Sequence, residues 1–266
     1  MLSIIIPVHN QIDVTKTCVK SVVDRTTIPY EIIIVNDQSS PDETQQFKEL
    51  AQEYNCKYLE TQHQAWHSGA CNLGLRHAKG EFLCLLNSDT VVATNWAKYM
   101  VDFLETEEGQ KCSCVGPSTS YASSHQQINH LFQARFKLSY AKIDHFAKAI
   151  YGRFGRAFVV TRLTGFCLIF SREVFEKIGF LDQVIFPSAG NEMDWQIRGL
   201  LLGLKPYWIR CSYVHHLGEV SYINIWDIAK KRDRWQKADQ RLIDKHGKVL
   251  FEKIHKKYWL DQKIND

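Results

Sequence analysis

Over its first hundred residues the chain switches repeatedly between two hydrophobic periods, and this alternation limits the fold more than any other feature. Leu2 to Pro7 and Glu31 to Val35 are short runs rich in β-branched residues, while between them, from Ile12 to Val23, apolar residues recur at helical spacing. The same reading predicts a helix over Pro41 to Tyr54, with proline near its start, and a short strand over Cys56 to Leu59. A helix over Ser68 to Ala78, a strand over Glu81 to Leu86 and a helix over Asn95 to Leu104 follow. Strand and helix in strict alternation require parallel strands joined by crossovers. The expected class is α/β: a doubly wound, mainly parallel sheet with helices on both faces.

Regularity fails between Pro117 and Tyr151, a stretch rich in Ser, His, Gln and Lys with scattered aromatics, which reads as a variable insertion beside a site. Beyond it, Phe158 to Thr161, Gly165 to Phe170 and Pro206 to Arg210 read as strands, and Arg172 to Ile178 and Asp194 to Leu202 as helices. The stretch from Tyr222 to Asp266 reads as an amphipathic helix broken at Gly247. It carries 12 Lys or Arg against 7 Asp or Glu, so it holds +5 of a chain whose net charge is +4. With 266 residues, 45% of them apolar, there is material for one large core, or a core and a smaller appendage. No internal repeat or low-complexity tract interrupts it.

The run Met1 to Pro7 lacks a preceding basic region and a small-residue cleavage site, so it reads as a strand and not a signal peptide. No apolar stretch approaches the roughly 20 residues that span a bilayer, which limits any membrane contact to a peripheral one. Cys18, Cys56, Cys71, Cys84 and Cys167 fall inside apolar patterns, Cys112 and Cys114 lie two apart on a strand, and Cys211 ends another. None of the eight shows metal-ligand spacing, so reduced core thiols and a cytoplasmic setting are expected.

Two polar clusters carry chemistry. Leu85-Leu86-Asn87-Ser88-Asp89-Thr90 ends an apolar strand in a carboxylate, at the edge of the sheet where α/β folds bind ligands and where a hard-metal ligand can face a phosphate. The bland alternative is a loop aspartate capping a helix that starts near Thr94. About a hundred residues on stands Gly190-Asn191-Glu192-Met193-Asp194-Trp195, with Arg198 after it. Two acidic clusters so separated point to a metal-diphosphate site and a distinct general base.

The order of the motifs resembles the family 2 glycosyltransferases of GT-A fold, especially their rhamnosyltransferase-like branch, over about residues 2 to 221. The resemblance rests on Ile6-Pro7-Val8-His9-Asn10, on Ile34-Val35-Asn36-Asp37-Gln38-Ser39-Ser40 with Asp42 and Thr44, and on His67-Ser68-Gly69-Ala70-Cys71-Asn72-Leu73-Gly74. Leu86-Asn87-Ser88-Asp89-Thr90, Thr164-Gly165, Gly179-Phe180-Leu181-Asp182, the Glu192 to Arg198 cluster and His216-Leu217-Gly218 with Ser221 complete it. It implies a GT-A (Rossmann-like) domain over residues 1–221: a nucleotide-binding half to 116, the insertion over 117–157 and an acceptor and catalytic half over 158–221. A basic helical extension occupies 222–266.

The resemblance also implies roles. Pro7, Val8, His9 and Asn10 would wrap the nucleotide, and Asp37 would accept hydrogen bonds from a base imide or a ribose hydroxyl, although an Asx turn with Ser39 and Ser40 is the structural alternative. Gly69 would stand at a helix entrance, with Asn72 facing base or ribose. Asn87, Ser88 and Asp89 would line the donor diphosphate, Asp89 and His216 binding Mn2+ or Mg2+, with His215 the alternative to His216. Glu192 would be the base that deprotonates the acceptor hydroxyl, and inversion would follow. Asp194 competes for that role but fits better holding the loop or the acceptor. Thr164, Gly165, Trp195 and Arg198 would position the acceptor, Arg198 pairing with a carboxylate or phosphate.

Expected partners are a nucleotide-sugar donor and a glycan, lipid-linked or protein acceptor. The basic tail, with its aromatics Trp226, Trp235, Tyr258 and Trp259, admits peripheral membrane contact, or packing on the sheet together with a homodimer. Nucleic acid is not expected, since no binding motif accompanies the charge. Two other classes compete. A nucleotidyltransferase should carry a Gly-rich loop bearing Lys or Arg after its first strand, which Pro7 to Asn10 lacks. A non-catalytic nucleotide-sugar-binding protein would account for Asn87 and Asn191 at acidic positions, but not for the retention of Asp89, Glu192 and His216.

Overall fold

The computed structural model describes residues 1–128, 140–151, 157–218, 225–252 and 254. Four parallel strands open the sheet: β1 (Leu2–Val8), β2 (Tyr30–Asn36), β3 (Lys57–Glu60) and β4 (Phe82–Leu86), in the order β3-β2-β1-β4. Leu2, Ile4, Ile5 and Ile6 are wholly buried, as a strand covered on both faces demands. Pro7 is tolerated because β1 pairs with β4 only as far as Ile5, whereas pairing with β2 continues to Val8.

The crossover helices are α1 (Ile12–Arg25), α2 (Pro41–Glu53) and α3 (Trp66–His77). Ser40 caps α2, its hydroxyl oxygen accepting from the Glu43 N–H at 3.4 Å, and Pro41 fills the first turn where no N–H is needed. Helices α1, α2 and α4 (Trp96–Leu104) cover one face through Cys18, Val22, Phe47, Leu50, Trp96 and Met100. The other face buries Ala70 and Leu75 of α3, Val174 and Ile178 of α6 (Arg172–Ile178) and Trp195 of α7 (Asn191–Leu201).

Strict alternation does not persist into the second half. After the short β5 (Thr90–Val92), β6 (Cys112–Ser118) joins the sheet. It is separated from β4 by β8 (Cys167–Ser171), which runs antiparallel to both neighbours. β9 (Lys205–His216) lies parallel to β6, and β5 and β7 (Ala157–Val159) pair antiparallel with it, so the outer half of the sheet is mixed. β9 reaches six residues past the expected end at Arg210.

The expected irregular insertion contains a helix, α5 (Tyr140–Tyr151), fixed by tertiary partners: Ile143 packs with Val91, Ala93 and Tyr213, and Asp144 accepts three bonds from Arg25, one at 3.0 Å. Residues 129–139 and 152–156 of that segment lie outside the described residues. In the C-terminal stretch, α8 (Ile225–His246) ends at Gly247, whose φ of +87° stops the helix where the pattern breaks. Ser221, Tyr258 and Trp259 lie outside the described residues. Among the described residues no helix is long and apolar enough to cross a membrane. All eight cysteines are free, and burial pushes the Cys18 thiol up to about 12.

Candidate active site

β4 ends at Leu86, and Asn87, Ser88 and Asp89 turn the chain into β5. This turn is tied down: the Asn87 N–H donates to the Phe166 carbonyl at 2.8 Å and the Thr90 hydroxyl to the Asn87 carbonyl at 2.8 Å. The alternative of Asp89 capping a following helix fails, because β5 intervenes and α4 begins only at Trp96, after Asn95. Pairing of β5 with β9 sets Thr90 opposite His216, and the Leu217 N–H donates to the Asp89 carbonyl at 2.9 Å. The Asp89 carboxylate thereby comes within 3.3 Å of His216 Nε2.

His216 Nδ1 lies 2.9 Å from the Tyr121 carbonyl, which only accepts, so Nδ1 carries a hydrogen and Nε2 faces Asp89, donating to it when the ring is protonated and presenting a lone pair when it is not. Phe166 stacks on the imidazole at 4.9 Å between centroids. Burial opposes ionisation of Asp89, but the facing His216 outweighs it and holds the carboxyl below its usual range. A carboxylate oxygen and an imidazole lone pair held this close form a donor set that suits a divalent cation. Among the described residues no three His, Cys, Asp or Glu side chains gather to hold a metal alone. His215 points elsewhere: its Nδ1 lies 3.2 Å from the Tyr213 hydroxyl, and burial drives its pKa down to about 4.

Glu192 is the second residue of α7, which begins three residues earlier than its periodicity indicated. Burial raises the Glu192 carboxyl above its ordinary pKa, with the N–H groups of Glu192 and Gly165 and the charge of Arg162 acting against the shift. Gly165 makes the space: a Cβ there would lie 2.9 Å from both Cβ and Cγ of Glu192. Beside it, the Thr164 N–H donates to Gln126 at 2.7 Å, and its hydroxyl to Ser124 at 3.1 Å. Asp89, His216, Asn87, Thr164, Gly165, Glu192 and Trp195 all line one cleft of about 600 Å3.

Asn191, at the position of an expected acid, is a bracket. Its amide donates to the Ser68 hydroxyl at 2.8 Å and to His67 Nδ1 at 3.0 Å, tying α7 to α3, while its oxygen accepts from the Glu192 N–H at 2.9 Å. Burial holds the His67 imidazole toward its neutral form, against its interactions with Asn87 and Asp89.

Two expected site residues spend their polar groups inside the fold, Asp194 in a holding role of the kind that suited it better than that of base. Asn72 does not face a base or ribose: it is buried, donating to the Leu181 carbonyl and the Gln183 side chain at 2.9 Å each and accepting from the Leu181 N–H at 3.0 Å. Asp194 does not line the cleft. Its carboxylate is wholly buried and meets Arg198 at 3.0 Å, Lys245 at 2.7 Å and His246 at 2.8 Å, so Arg198 finds its carboxylate inside the protein.

The remaining residues form the carboxyl edge of β1 and β2. Asp37 accepts from Thr61 at 2.8 Å and from the Ala65 N–H at 2.7 Å, strapping the loop before α3. His9 bonds the Asp37 carbonyl at 2.6 Å, and Asn10 exchanges bonds with Ser39 and Ser40 at 2.8 and 2.9 Å. Val8 is buried, and Pro7 and Ser88 are half-buried. Gly69 is buried within α3, its N–H bonded to the Ala65 carbonyl at 3.2 Å. Sequence reading passed over His67, Tyr121 and Arg162, and over Arg234 and Asp239 of α8, all of which line the cleft together with Trp235, which the sequence marked only as an aromatic of the basic stretch. His67 stood in a quoted motif; the others carried no local signal.

The glycosyl transferase family 2 model matches residues 3–179. The uncharacterized glycosyltransferase YwdF of Bacillus subtilis is 22% identical over 250 residues, covering 92% of this chain and 84% of its own length. The chondroitin synthase of Pasteurella multocida is 30% identical over 129 residues, 47% of this chain and 13% of that protein. Among solved structures, the mannosyltransferase PcManGT of Pyrobaculum calidifontis, in complex with GDP-Man and Mn2+, superposes with a TM-score of 0.66 at 14% identity, covering 91% of this chain and 64% of that one. GalNAc-T7 with UDP, GalNAc and Mn2+ gives 0.64 at 18% identity, covering 81% and 43%. The chain spans 15%, 24% and 26% of the length of three other curated relatives it matches.

Proposed function

Because this chain belongs to glycosyl transferase family 2 and has the GT-A fold, we propose that it transfers a sugar from a UDP- or dTDP-sugar to an acceptor hydroxyl with inversion at the anomeric carbon. The rhamnosyltransferase-like motif order favours dTDP-rhamnose or a UDP-hexose as donor, with a role in glycan or polysaccharide assembly. The observation that carries the reading is the meeting of Asp89 and His216 at 3.3 Å in the cleft that also holds Glu192.

Asp89 and His216 would hold Mn2+ or Mg2+, which would supply positive charge to offset that of the leaving nucleoside diphosphate. Glu192 takes the proton of the acceptor hydroxyl as its oxygen bonds to the anomeric carbon; the bond to the diphosphate breaks, and the nucleoside diphosphate leaves with the electron pair. The Tyr121 carbonyl keeps His216 in the tautomer that presents Nε2, and Gly165 leaves Glu192 room to face the cleft. Asn191 holds the start of α7 against α3.

Calorimetric titration of UDP and dTDP, with and without Mn2+, tests this reading. Asp89→Ala should abolish the Mn2+-dependent gain in affinity, and His216→Ala should weaken it more modestly. An unchanged gain in Asp89→Ala would remove Asp89 from the metal site.

A further inference from the structure

One wall of the cleft comes from α8, outside the family match at residues 3–179. Its buried side is committed: Leu242 packs with Phe186, Met193 and Ile197 of the body, and Ala238 approaches Gly190 so closely that a Cβ there would lie 3.3 Å from the Ala238 methyl. Gly190, with φ at +79°, is the residue from which α7 springs, so this contact sits two residues before Glu192. Lys245 and His246 add the bonds to Asp194, and Lys245 a second ion pair, to Asp182 at 2.7 Å. The helix is thus bolted to the element that carries the candidate base.

Facing the cleft from this helix are Trp235 and, one turn on, Asp239. Trp235 is 39% exposed, although Ala238 and Leu242 on the neighbouring stripe are at most 2% exposed. An indole left open one helical turn from a carboxylate, at a cleft wall, matches the two surfaces of a pyranose. The ring's C–H face packs on an aromatic face, and its hydroxyls donate to a carboxylate.

We propose that Trp235 and Asp239 form the acceptor platform, and that the acceptor is a pyranoside stacked on the Trp235 indole with a hydroxyl bonded to Asp239. This deepens the transferase reading above and rests on it. Trp235 determines acceptor specificity and takes no part in holding the nucleotide.

Saturation-transfer NMR on the full chain with Mn2+ and UDP, dTDP or GDP tests it, using methyl α- and β-pyranosides as probes beside a serine-containing peptide and farnesyl phosphate. Pyranoside ring C–H protons should receive saturation and move upfield. Trp235→Ala should weaken that binding on the order of tenfold and erase the upfield shift, Trp235→Phe should keep most of both, and Asp239→Asn should weaken binding while keeping the shift. Calorimetric affinity for the nucleotide with Mn2+ should stay unchanged in Trp235→Ala. Equal pyranoside affinity in Trp235→Ala, saturation of the peptide or farnesyl phosphate alone, or no pyranoside binding to the nucleotide-loaded wild type overturns the proposal while leaving nucleotide binding intact. If the wild type binds none of the three nucleotides, the transferase reading fails and takes this proposal with it.

Discussion

Glu192 loses water as it enters the start of α7, and its carboxyl titrates above the ordinary range as a result. A base whose pKa has moved toward neutrality is better matched to removing a hydroxyl proton. Glu192→Gln should therefore keep nucleotide affinity while lowering turnover by a factor on the order of 10² to 10⁴, which calorimetry and single-turnover transfer would separate; near-normal turnover would move the base elsewhere. The same shift has a stability consequence. The fold favours the protonated form, so the stability this group contributes is fully present below its unfolded value of about 4.3 and is lost as pH rises through the raised native value. Above that raised value the wild type buries an ionised carboxylate that the glutamine variant lacks. Glu192→Gln should melt at a higher temperature than the wild type there, and the difference should vanish near pH 4 in thermal melts followed by circular dichroism.

Helix α7 works on two sides, which explains why its acidic residues have separate fates. Asn191 and Glu192 stand on the side of α3 and the cleft, while Asp194 turns inward to Arg198, Lys245 and His246. Removing that charge leaves the cations without their shared partner, a change worth several kcal/mol in a fully buried pair and less here, because Arg198 and Lys245 are about a quarter exposed. Asp194→Asn should cost about 2–3 kcal/mol, measured as a lowered urea midpoint, and should leave the pH profile of transfer in place; a collapsed profile at unchanged stability would return Asp194 to the chemistry. The start of α7 escaped sequence reading because its cap is Gly190 in the left-handed region, with no capping side chain to mark it. β5 has three residues, too few for a period, and α5 depends on Arg25 and Tyr213 from elsewhere.

At the scale of the whole molecule, the described part of the basic C-terminal stretch packs on the body. Through α8 it covers Phe186, Met193 and Ile197 and completes the cleft. Deleting residues 225–266 should uncover that cluster at a cost of at least about 3 kcal/mol from Leu242 and its neighbours. Thermal melting and binding of an apolar dye would register it; an unchanged melting temperature would show that the helix adds nothing to the body. What the sequence by itself determined was the parallel half of the sheet and the arrival of Asp89 at the end of β4, because hydrophobic period and strand ends are local properties. The ordered motifs also singled out Glu192 and His216. Only the tertiary structure decided that β5 and β9 pair to bring His216 to Asp89, that Asn72 and Asp194 spend their polar groups on loops and helices instead of the cleft, and that α8 supplies Trp235 to its wall. Those outcomes depend on which distant groups compete for each hydrogen bond and apolar face, and that competition is resolved only when the chain has packed.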